Sequence, residues 1–288
     1  MMDYAEKAWL NGEFTDFDKL TFPIQTYGLH YGASVYEGIR VYNSKAFKLK
    51  QHIERLFVSA DLLKMKLNYS TDEVCKAIET LIITNQLEGG YIRPIVWRGA
   101  GDLLISSFNK PEFAIFTWHR MSPFIDDVKD KKPLRLTVSK LTRYNPESYP
   151  VGAKIGGLYA SNSVAKYIAH EEGYDDAIML THKGIVAESV TANIFVVKDG
   201  VLFTPTEENI LNGITRQLVI ELAKEHNIEI KEMDFDLSFL EGAQEVFLTG
   251  TACEIAPVAS INNMCFVAGK FTQTLYNAFI DHIKKETL

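Results

Sequence analysis

The stretch Gly152-Ala153-Lys154-Ile155-Gly156-Gly157 places one lysine among small residues, immediately before a predicted helix over residues 158–170. A lysine amine reacts as a nucleophile only when it is unprotonated, which requires burial or a cationic neighbour. The small flanking residues would let a planar ligand approach the amine closely. A surface lysine in a glycine-rich loop is much commoner in proteins, so this stretch alone favours the ordinary interpretation.

Patterns typical of helices and strands alternate on both sides of this lysine. Apolar residues at helical spacing predict a helix over residues 51–66, and Ser70 with Glu73 forms a capping box that begins a second helix, which Gly89-Gly90 would end. Further helices are predicted over residues 214–226 and 271–284, strands over residues 91–97, 113–118, 134–139, 176–180, 188–197, 201–203 and 245–248, and tight turns at Asn43-Ser44 and Asp199-Gly200. This mixture predicts an α+β fold with two lobes.

A charged segment with two prolines, residues 122–133, is the strongest linker signal in the chain. We therefore predict a smaller N-terminal domain over residues 1–122, an interdomain linker over residues 123–132, and a larger C-terminal domain over residues 133–288, which would carry the lysine. Domains commonly contain about 100–150 residues, so the length of the chain suits two of them.

The composition limits the classes of function. The chain has 288 residues, of which 47% are apolar, and a net charge of −7 without long blocks of one sign, which argues against nucleic-acid binding. Its three cysteines have neither metal-ligand nor redox-motif spacing, and its seven histidines are scattered. No apolar run approaches the roughly 20 residues that span a bilayer. We therefore expect a cytoplasmic globular protein that binds no metal, membrane or nucleic acid.

Two turns could bind an anion. Asn212-Gly213-Ile214-Thr215-Arg216 opens a predicted helix, whose first N–H groups and positive dipole end suit a phosphate. Thr249-Gly250-Thr251-Ala252 follows a buried strand and could cradle an anion with its backbone N–H groups. Either segment could equally be an ordinary connection, and the sequence contains no Walker-type or dinucleotide-binding fingerprint.

Three charged side chains occupy positions that allow two interpretations. Glu188 lies in an otherwise apolar strand, where it either faces solvent at the strand end or acts as the counter-ion of a buried cation. Arg55 falls opposite the apolar stripe of its predicted helix, so periodicity predicts that it faces solvent, although Leu62 on the same side allows it to face a second surface. Arg93 shares one strand face with Tyr91, and this pair suits recognition of a carboxylate, although such a pair also occurs on edge strands without function.

In their order and joint presence, these segments resemble the class IV (fold type IV) pyridoxal-phosphate aminotransferases, and among them the branched-chain amino acid aminotransferases. The resemblance runs nearly end to end, from Trp9-Leu10-Asn11-Gly12-Glu13 to the last predicted helix. The specific stretches are residues 29–40, 91–94, 153–159, 188–195, 211–216 and 249–258. The resemblance implies transfer of the amino group of leucine, isoleucine or valine to 2-oxoglutarate.

The resemblance also implies roles around the cofactor, pyridoxal 5′-phosphate. Lys154 would carry it as a Schiff base and later move a proton, Glu188 would face its pyridine nitrogen and keep it protonated, and Tyr159 would hydrogen-bond its phenolic oxygen. Here the resemblance overrules the periodicity at Arg55. The other residues expected to contact the cofactor are Arg55, Ile214, Thr215 and Thr251 at the phosphate, Leu211 beneath the ring, and Asn193.

The same resemblance places the substrate. The carboxylate would be bound by Tyr91, Arg93 and the Thr251-Ala252 backbone, and the aliphatic side chain would lie among Tyr36, Gly38 and Trp118. Tyr31 and the loop over residues 103–105 would reach across from a second subunit. A homodimer is therefore the smallest active unit that the resemblance supports.

Some residues depart from the pattern of the family, and alternatives on the same scaffold stay open. Tyr36 stands where many relatives have Phe, and Ala192 replaces a frequent acidic residue. These departures concern the preferred side chain of the substrate. The alternatives are a D-amino-acid aminotransferase, against which Tyr91-Ile92-Arg93-Pro94 argues, an aminodeoxychorismate lyase, and a binding protein that has lost catalysis.

Overall fold

Two β-sheets organise the chain, which a computed structural model describes over residues 3–119 and 132–288. The described residues divide into two units: residues 3–119 with Ala153–Tyr159 and Lys285–Leu288, and residues 132–152 with Ala160–Lys284. Both units combine helices with sheet, so the predicted α+β class is confirmed. Apart from Lys132, the predicted linker lies outside the described residues, and the predicted domain boundaries stay a prediction.

The first unit contains a sheet in which every described pairing is antiparallel. Its strands are β1 (Lys7–Leu10), β2 (Glu13–Asp16), β3 (Ser34–Tyr36), β4 (Ile39–Tyr42), β5 (Lys45–Ala46), β6 (Gly90–Arg98) and β7 (Pro111–Trp118). They lie in the order β2-β1-β7-β6-β4-β5, and β3 also pairs with β6. The helices of this unit are α1 (Tyr27–Tyr31), α2 (Leu49–Leu62) and α3 (Thr71–Thr84).

Local sequence explains most of these elements. Ser70 and Glu73 form the predicted capping box, with Glu73 N–H donating to Ser70 Oγ at 3.2 Å, and α3 begins there. The predicted end of this helix at Gly89-Gly90 is wrong. The helix ends at Thr84 because the next turn enters the left-handed region at Gln86, which has φ +53°.

The second unit contains a mixed sheet. Its strands are β8 (Leu134–Val138), β9 (Asp176–Leu180), β10 (Val186–Ser189), β11 (Asn193–Lys198), β12 (Val201–Thr204), β13 (Ile230–Glu232), β14 (Glu245–Gly250), β15 (Glu254–Ile261) and β16 (Met264–Cys265). They lie in the order β10-β9-β8-β15-β14-β11-β12-β13, with β16 on β15. The pairings of β8 with β9 and β15, and of β12 with β13, are parallel. The further α-helices within the described residues are α4 (Tyr159–Glu171), α5 (Ile214–Glu225) and α6 (Lys270–Thr287).

Two predictions about the strands of this unit need correction. The segment 188–197 forms β10 and β11 instead of one strand, because Ser189 Oγ accepts the N–H of Ala192 at 3.1 Å and turns the chain. Strand β15 is absent from the sequence prediction, and Pro257 in its interior explains this, since proline cannot donate to a sheet ladder. Within residues 3–119 and 132–288, no helix combines the length and apolar character needed to cross a membrane.

Candidate functional site

The backbone of Lys154 is fixed by elements of the first unit. Tyr36 N–H donates to the Lys154 carbonyl at 3.2 Å, and the next residue, Ile155, forms an antiparallel bridge with Val35. Lys154 N–H donates to Ser59 Oγ of helix α2 at 3.1 Å. The segment that carries the lysine is thus held by strand β3 on one side and by α2 on the other.

The glycines after the lysine serve this close packing. A Cβ on Gly156 would lie 2.3 Å from Ser34 Oγ, and a Cβ on Gly32, which has φ +63°, would lie 3.0 Å from the Gly157 Cα. These contacts give the glycines a packing role beside the predicted room for a ligand, which stays a prediction. Gly156 is small because β3 lies against it.

The amine of Lys154 lies between two phenol rings. Its Nζ donates to the Tyr159 hydroxyl at 2.8 Å. The same atom is 5.1 Å from the ring centroid of Tyr36 and 5.0 Å from that of Tyr159. The two rings and the hydrogen bond that the hydroxyl oxygen accepts from the amine give Nζ one defined position.

Arg93 occupies an aromatic cage on strand β6. Its guanidinium carbon lies 4.7 Å from the ring centroid of Tyr36, 5.7 Å from that of Trp118 and 5.9 Å from that of Tyr91. Its Nε is buried and has no hydrogen-bond partner in the described part of the chain. A partly buried cation with one buried, unused donor is suited to bind an anion such as a carboxylate. The structure therefore brings Tyr36, Tyr91, Arg93 and Trp118 together.

Gly38 lies directly against Tyr91, and we expect Gly38→Ala to destabilise the protein by about 1–3 kcal/mol. The added Cβ would lie 1.8 Å from the Tyr91 hydroxyl. The Tyr91 ring cannot move away easily, because it is buried and stacks on Trp118 at a centroid distance of 4.9 Å. Urea unfolding measures the change, and Gly89→Ala is the matched control because its Cβ would meet only the Val41 carbonyl, at 3.8 Å. Equal stability of the two variants would contradict this packing.

The prediction from periodicity that Arg55 faces solvent is wrong. Its side chain is only 15% exposed, and its Nε and Nη2 donate to the two oxygens of Glu37 at 2.6 and 2.9 Å. His52 Nδ1 lies 2.7 Å from Glu37 Oε2. Glu37 itself is fully buried, so the carboxylate needs both partners. No sequence pattern predicts a role for Glu37 or His52 in the site. The only local signal is that an acidic residue, Glu37, stands between Tyr36 and Gly38.

The protonation states of this group follow from its geometry. Burial by itself would raise the pKa of Glu37, but Arg55 and His52 outweigh it and hold that pKa well below its usual value. Burial lowers the pKa of His52 below its usual value of 6.5, while the hydrogen bond to Glu37 opposes the shift. His52 is therefore neutral near pH 7, and its Nδ1–H donates to the carboxylate.

We expect the free energy of unfolding to fall as the pH drops below about 6.5, in part because of His52. Between 6.5 and its lower native pKa, the unfolded chain binds a proton that the native state does not, so acid favours unfolding. His52→Asn keeps a donor near Glu37 but cannot titrate. Urea unfolding at about pH 7.5 and about pH 5.5 should therefore show a smaller loss for this variant. An equal loss in both proteins would count against a neutral, buried His52.

In the second unit, Glu188 is buried on strand β10. Arg143 Nη2 lies 2.6 Å from its Oε1, Asn193 Nδ2 donates to its Oε2 at 2.9 Å, and Leu211 N–H points to Oε1 at 3.5 Å. The interpretation that Glu188 faces solvent is therefore wrong. Glu188 is instead the counter-ion of a buried cation, Arg143. No sequence pattern predicts this role for Arg143, because it lies in a loop.

The start of helix α5 lies beside this carboxylate. Asn193 Nδ2 also donates to the Leu211 carbonyl at 2.8 Å, and a Cβ on Gly213 would lie 2.2 Å from Asn193 Oδ1. Gly213 is the N-cap residue and makes no side-chain cap, so no cap side chain satisfies the first N–H groups of the helix, those of Ile214 and Thr215. Free N–H groups at a helix start favour an anion.

The turn predicted at Thr249-Gly250-Thr251 begins two residues later, at Thr251. Thr249 and Gly250 still belong to β14, and Thr251 and Ala252 form the turn into β15. Thr249 pairs with Asn193 across the sheet, and its buried Oγ1 has no hydrogen-bond partner among the described residues. The turn therefore lies at the same end of the sheet as Asn193.

The predicted site residues thus fall into two groups, one in each unit, and one residue lies apart. The first group consists of Lys154, Tyr159, Tyr36, Gly38, Arg55, Tyr91, Arg93 and Trp118. The second consists of Glu188, Asn193, Leu211, Ile214, Thr215, Thr251 and Ala252. Tyr31 also belongs to the first unit, but no contact joins it to this group: its ring is exposed, and its hydroxyl donates to the Leu103 carbonyl at 2.6 Å.

Comparisons with known proteins agree with the resemblance seen in the sequence. The family model described as amino-transferase class IV matches residues 34–261. The probable branched-chain-amino-acid aminotransferase of Rickettsia felis is 39% identical over 255 residues, which cover 88% of this chain and 87% of that protein. The branched-chain-amino-acid aminotransferase of Escherichia coli K12 is 34% identical and is aligned over 98% of this chain and 94% of its own length.

The fold is similar to that of a solved structure. The branched-chain amino acid aminotransferase of Thermobaculum terrenum, in its PLP-form, superposes with a TM-score of 0.91 at 28% identity. The superposition covers 98% of this chain and 95% of that one. Both the order of the motifs and the arrangement of the backbone are therefore shared over nearly the whole length.

Proposed function

Because this chain belongs to the class IV aminotransferases, we propose that it transfers the amino group of L-leucine, L-isoleucine or L-valine to 2-oxoglutarate, with pyridoxal 5′-phosphate as its cofactor. The products are the branched-chain 2-oxo acids and glutamate. The observation that carries the proposal is the amine of Lys154, which is held at 2.8 Å from the Tyr159 hydroxyl between two phenol rings. A lysine amine held in a defined position can attack the aldehyde of a carbonyl cofactor.

The residues of the chain suit pyridoxal phosphate. Lys154 supplies the amine for the aldehyde, and Tyr159 supplies a hydroxyl for the phenolic oxygen. The uncapped N–H groups of Ile214 and Thr215 suit the phosphate, as they are the donors that a helix start offers to an anion. Arg55 adds a guanidinium, which Glu37 holds in one orientation. The remaining predicted contacts are Glu188, Asn193, Leu211 and Thr251.

The chemistry divides between cofactor and protein. When bound, pyridoxal phosphate supplies an electron sink that makes the α-proton of an amino acid acidic. Lys154 removes this proton and returns it during the reaction, because its amine is the base that Tyr159 positions. Glu188 provides a negative charge that favours a protonated pyridine nitrogen. Its ion pair with Arg143 and its hydrogen bond from Asn193 hold the carboxylate in one orientation.

The aromatic cage suits the substrate. Arg93 has a buried Nε that can donate to the α-carboxylate, and Tyr91 lies beside it. Tyr36, Gly38 and Trp118 form an apolar surface for a branched aliphatic side chain, and such a surface favours leucine over a charged or short residue. The carboxylate end of 2-oxoglutarate needs polar groups at the rim, and Arg40 is the side chain that we propose there.

We further propose that the chain acts as a homodimer through an apolar surface of the first unit. The loop between β6 and β7 exposes three apolar side chains. Leu104 is 67% exposed, Ile105 is 74% exposed and Phe108 is 79% exposed. The loop is tied to α1, because Tyr27 and Tyr31 donate to the Ile105 and Leu103 carbonyls at 3.0 and 2.6 Å. An ordered, exposed apolar patch favours a protein contact, and a second copy of this chain is the partner that the resemblance implies.

Replacing Ile105 with Asp should shift the protein from dimer toward monomer and lower its activity at low protein concentration, since a charge would be buried in the contact. Sedimentation velocity measures the mass, and Val267→Asp is the matched control on another exposed residue. A monomeric and fully active wild-type protein would overturn the dimer.

The cofactor is tested by colour. Purified protein should be yellow, and borohydride should bleach it and leave the reduced label on Lys154, as peptide mapping shows. Protein that stays colourless after addition of pyridoxal phosphate would overturn the proposed function.

The substrate is tested with a panel of amino acids. L-leucine, L-isoleucine and L-valine should react with 2-oxoglutarate, whereas D-alanine and aminodeoxychorismate should not. Reaction of D-alanine but not of L-leucine would instead identify a D-amino-acid aminotransferase, and release of product from aminodeoxychorismate would identify a lyase.

A further inference from the structure

Helix α2 has a second buried face besides its apolar stripe, and this second face is polar. His52, Arg55 and Ser59 follow one another at steps of three and four residues, so they lie on one side of the helix. His52 and Ser59 are buried, and the side chain of Arg55 is largely buried. Ser59 Oγ accepts the N–H of Lys154, so the polar face is the one that meets the segment carrying this lysine.

Glu37 packs against the polar face from a closely held part of the sheet. It stands between strands β3 and β4, and its N–H donates to the Pro94 carbonyl of strand β6 at 2.9 Å. The next residue is Gly38, where an added Cβ would collide with Tyr91, so the backbone has little room to move. The carboxylate of Glu37 therefore has a fixed origin.

This carboxylate defines the plane of the Arg55 guanidinium. Two parallel hydrogen bonds join the groups, from Nε to Oε1 at 2.6 Å and from Nη2 to Oε2 at 2.9 Å. They occupy the Nε edge of the rigid guanidinium fork, so Nη1 is turned away from Glu37. His52 Nδ1 lies 2.7 Å from Glu37 Oε2 and fixes the carboxylate in turn.

Maximum positive charge is not what this arrangement provides. A carboxylate beside the guanidinium reduces the attraction of Arg55 for an anion, and an unpaired arginine would attract a phosphate more strongly. A long side chain, however, loses rotamer freedom when it binds, and a guanidinium that is already held in one orientation avoids this loss. Burial lowers the pKa of Arg55, but Glu37 outweighs it and holds that pKa above its usual value, so the oriented group stays a cation.

We propose that Glu37 is a positioning residue: with His52 behind it, Glu37 orients Arg55 toward the phosphate of pyridoxal phosphate and makes cofactor binding depend on that phosphate. This inference rests on the proposed function, because it needs the cofactor at Lys154. It gives a role to two side chains that lie behind Arg55. Glu37 is fully buried, so it acts on the cofactor only through Arg55.

The test compares pyridoxal phosphate with pyridoxal, which has the same ring and aldehyde but no phosphate. Titration of the cofactor-free protein with each compound, followed by visible absorbance, gives two dissociation constants. Glu37→Gln keeps the size of the side chain but loses the charge that holds Arg55. The constant for pyridoxal phosphate should therefore rise about tenfold or more, while that for pyridoxal should change by less than about twofold.

The matched control makes the same chemical change on the same helix. Glu54 is exposed on α2, so Glu54→Gln should leave both dissociation constants unchanged. A second background shows whether Glu37 acts through Arg55. Arg55→Met alone should weaken the binding of pyridoxal phosphate at least as much as Glu37→Gln does, and combining the two substitutions should weaken it no further.

A further variant separates position from charge and serves if Glu37→Gln does not fold. Glu37→Asp keeps the negative charge but withdraws the carboxylate by one methylene, so Arg55 is no longer held in the same place. The dissociation constant for pyridoxal phosphate should rise by about threefold or more, again without a matching change for pyridoxal. Near-ultraviolet circular dichroism shows whether each variant keeps the native fold.

The outcomes are distinct. Equal weakening for both compounds in folded Glu37→Gln or Glu37→Asp protein would overturn this inference alone, and so would unchanged constants. Further weakening when Glu37→Gln is added to Arg55→Met would overturn it as well. Wild-type protein that takes up no pyridoxal phosphate would overturn the proposed function and this inference with it. A loss that is specific to the phosphorylated compound and depends on Arg55 would support the inference.

Discussion

Replacing Lys154 with alanine is expected to reduce transamination by about 10³-fold or more. The amine of Lys154 is the only group that the proposal assigns both to holding the cofactor and to moving the α-proton, so its loss removes two functions at once. The fold should persist, because the backbone N–H and carbonyl of Lys154 keep their hydrogen bonds to Ser59 and Tyr36 when the side chain is removed. Steady-state kinetics with L-leucine and 2-oxoglutarate measures the loss.

Two controls make this result specific. Lys183→Ala removes a lysine from an exposed turn and should leave the rate unchanged. Circular dichroism and urea unfolding should show that Lys154→Ala is folded with nearly the stability of the wild type. Turnover within about tenfold of the wild type in folded Lys154→Ala protein would refute the role of this lysine.

Replacing Glu188 with glutamine should affect both activity and stability. The glutamine side chain can still accept from Asn193, but it leaves Arg143 buried without an anion, which should cost about 3–5 kcal/mol in unfolding free energy. The negative charge at the pyridine nitrogen is lost as well, and removing one preorganised electrostatic group reduces turnover by about 10²–10³-fold. Urea unfolding and steady-state kinetics measure the two effects separately.

A double variant distinguishes these effects. Adding Arg143→Met to Glu188→Gln removes the buried, unpaired cation, so most of the stability should return. Turnover should stay low, because no carboxylate faces the pyridine nitrogen. If turnover returned together with stability, the effect of Glu188→Gln on the reaction would come only from a damaged fold.

The positions of Arg55 and Glu188 show where prediction from sequence failed. Periodicity predicts that Arg55 faces solvent because the helical pattern of apolar residues indicates only which face of the helix packs on the apolar core. It cannot report a buried carboxylate that comes from another element, and Glu37 lies 18 residues away. The strand pattern likewise leaves two interpretations of Glu188 open, because its partner Arg143 lies in a loop without a pattern.

The sequence by itself determined the family, the α+β class and the capping box at Ser70 and Glu73, and the resemblance to the family singled out Lys154 as the proposed reactive amine. These properties depend on the order of the motifs and on the spacing of residues that are close in sequence, and the covalent chain sets both. Only the tertiary structure decided the partners of the charged groups, the packing of Gly156 against Ser34, and the contact of Tyr36 with Tyr159. Such contacts join residues far apart in the chain, and burial decides which of them a charge or hydroxyl must make.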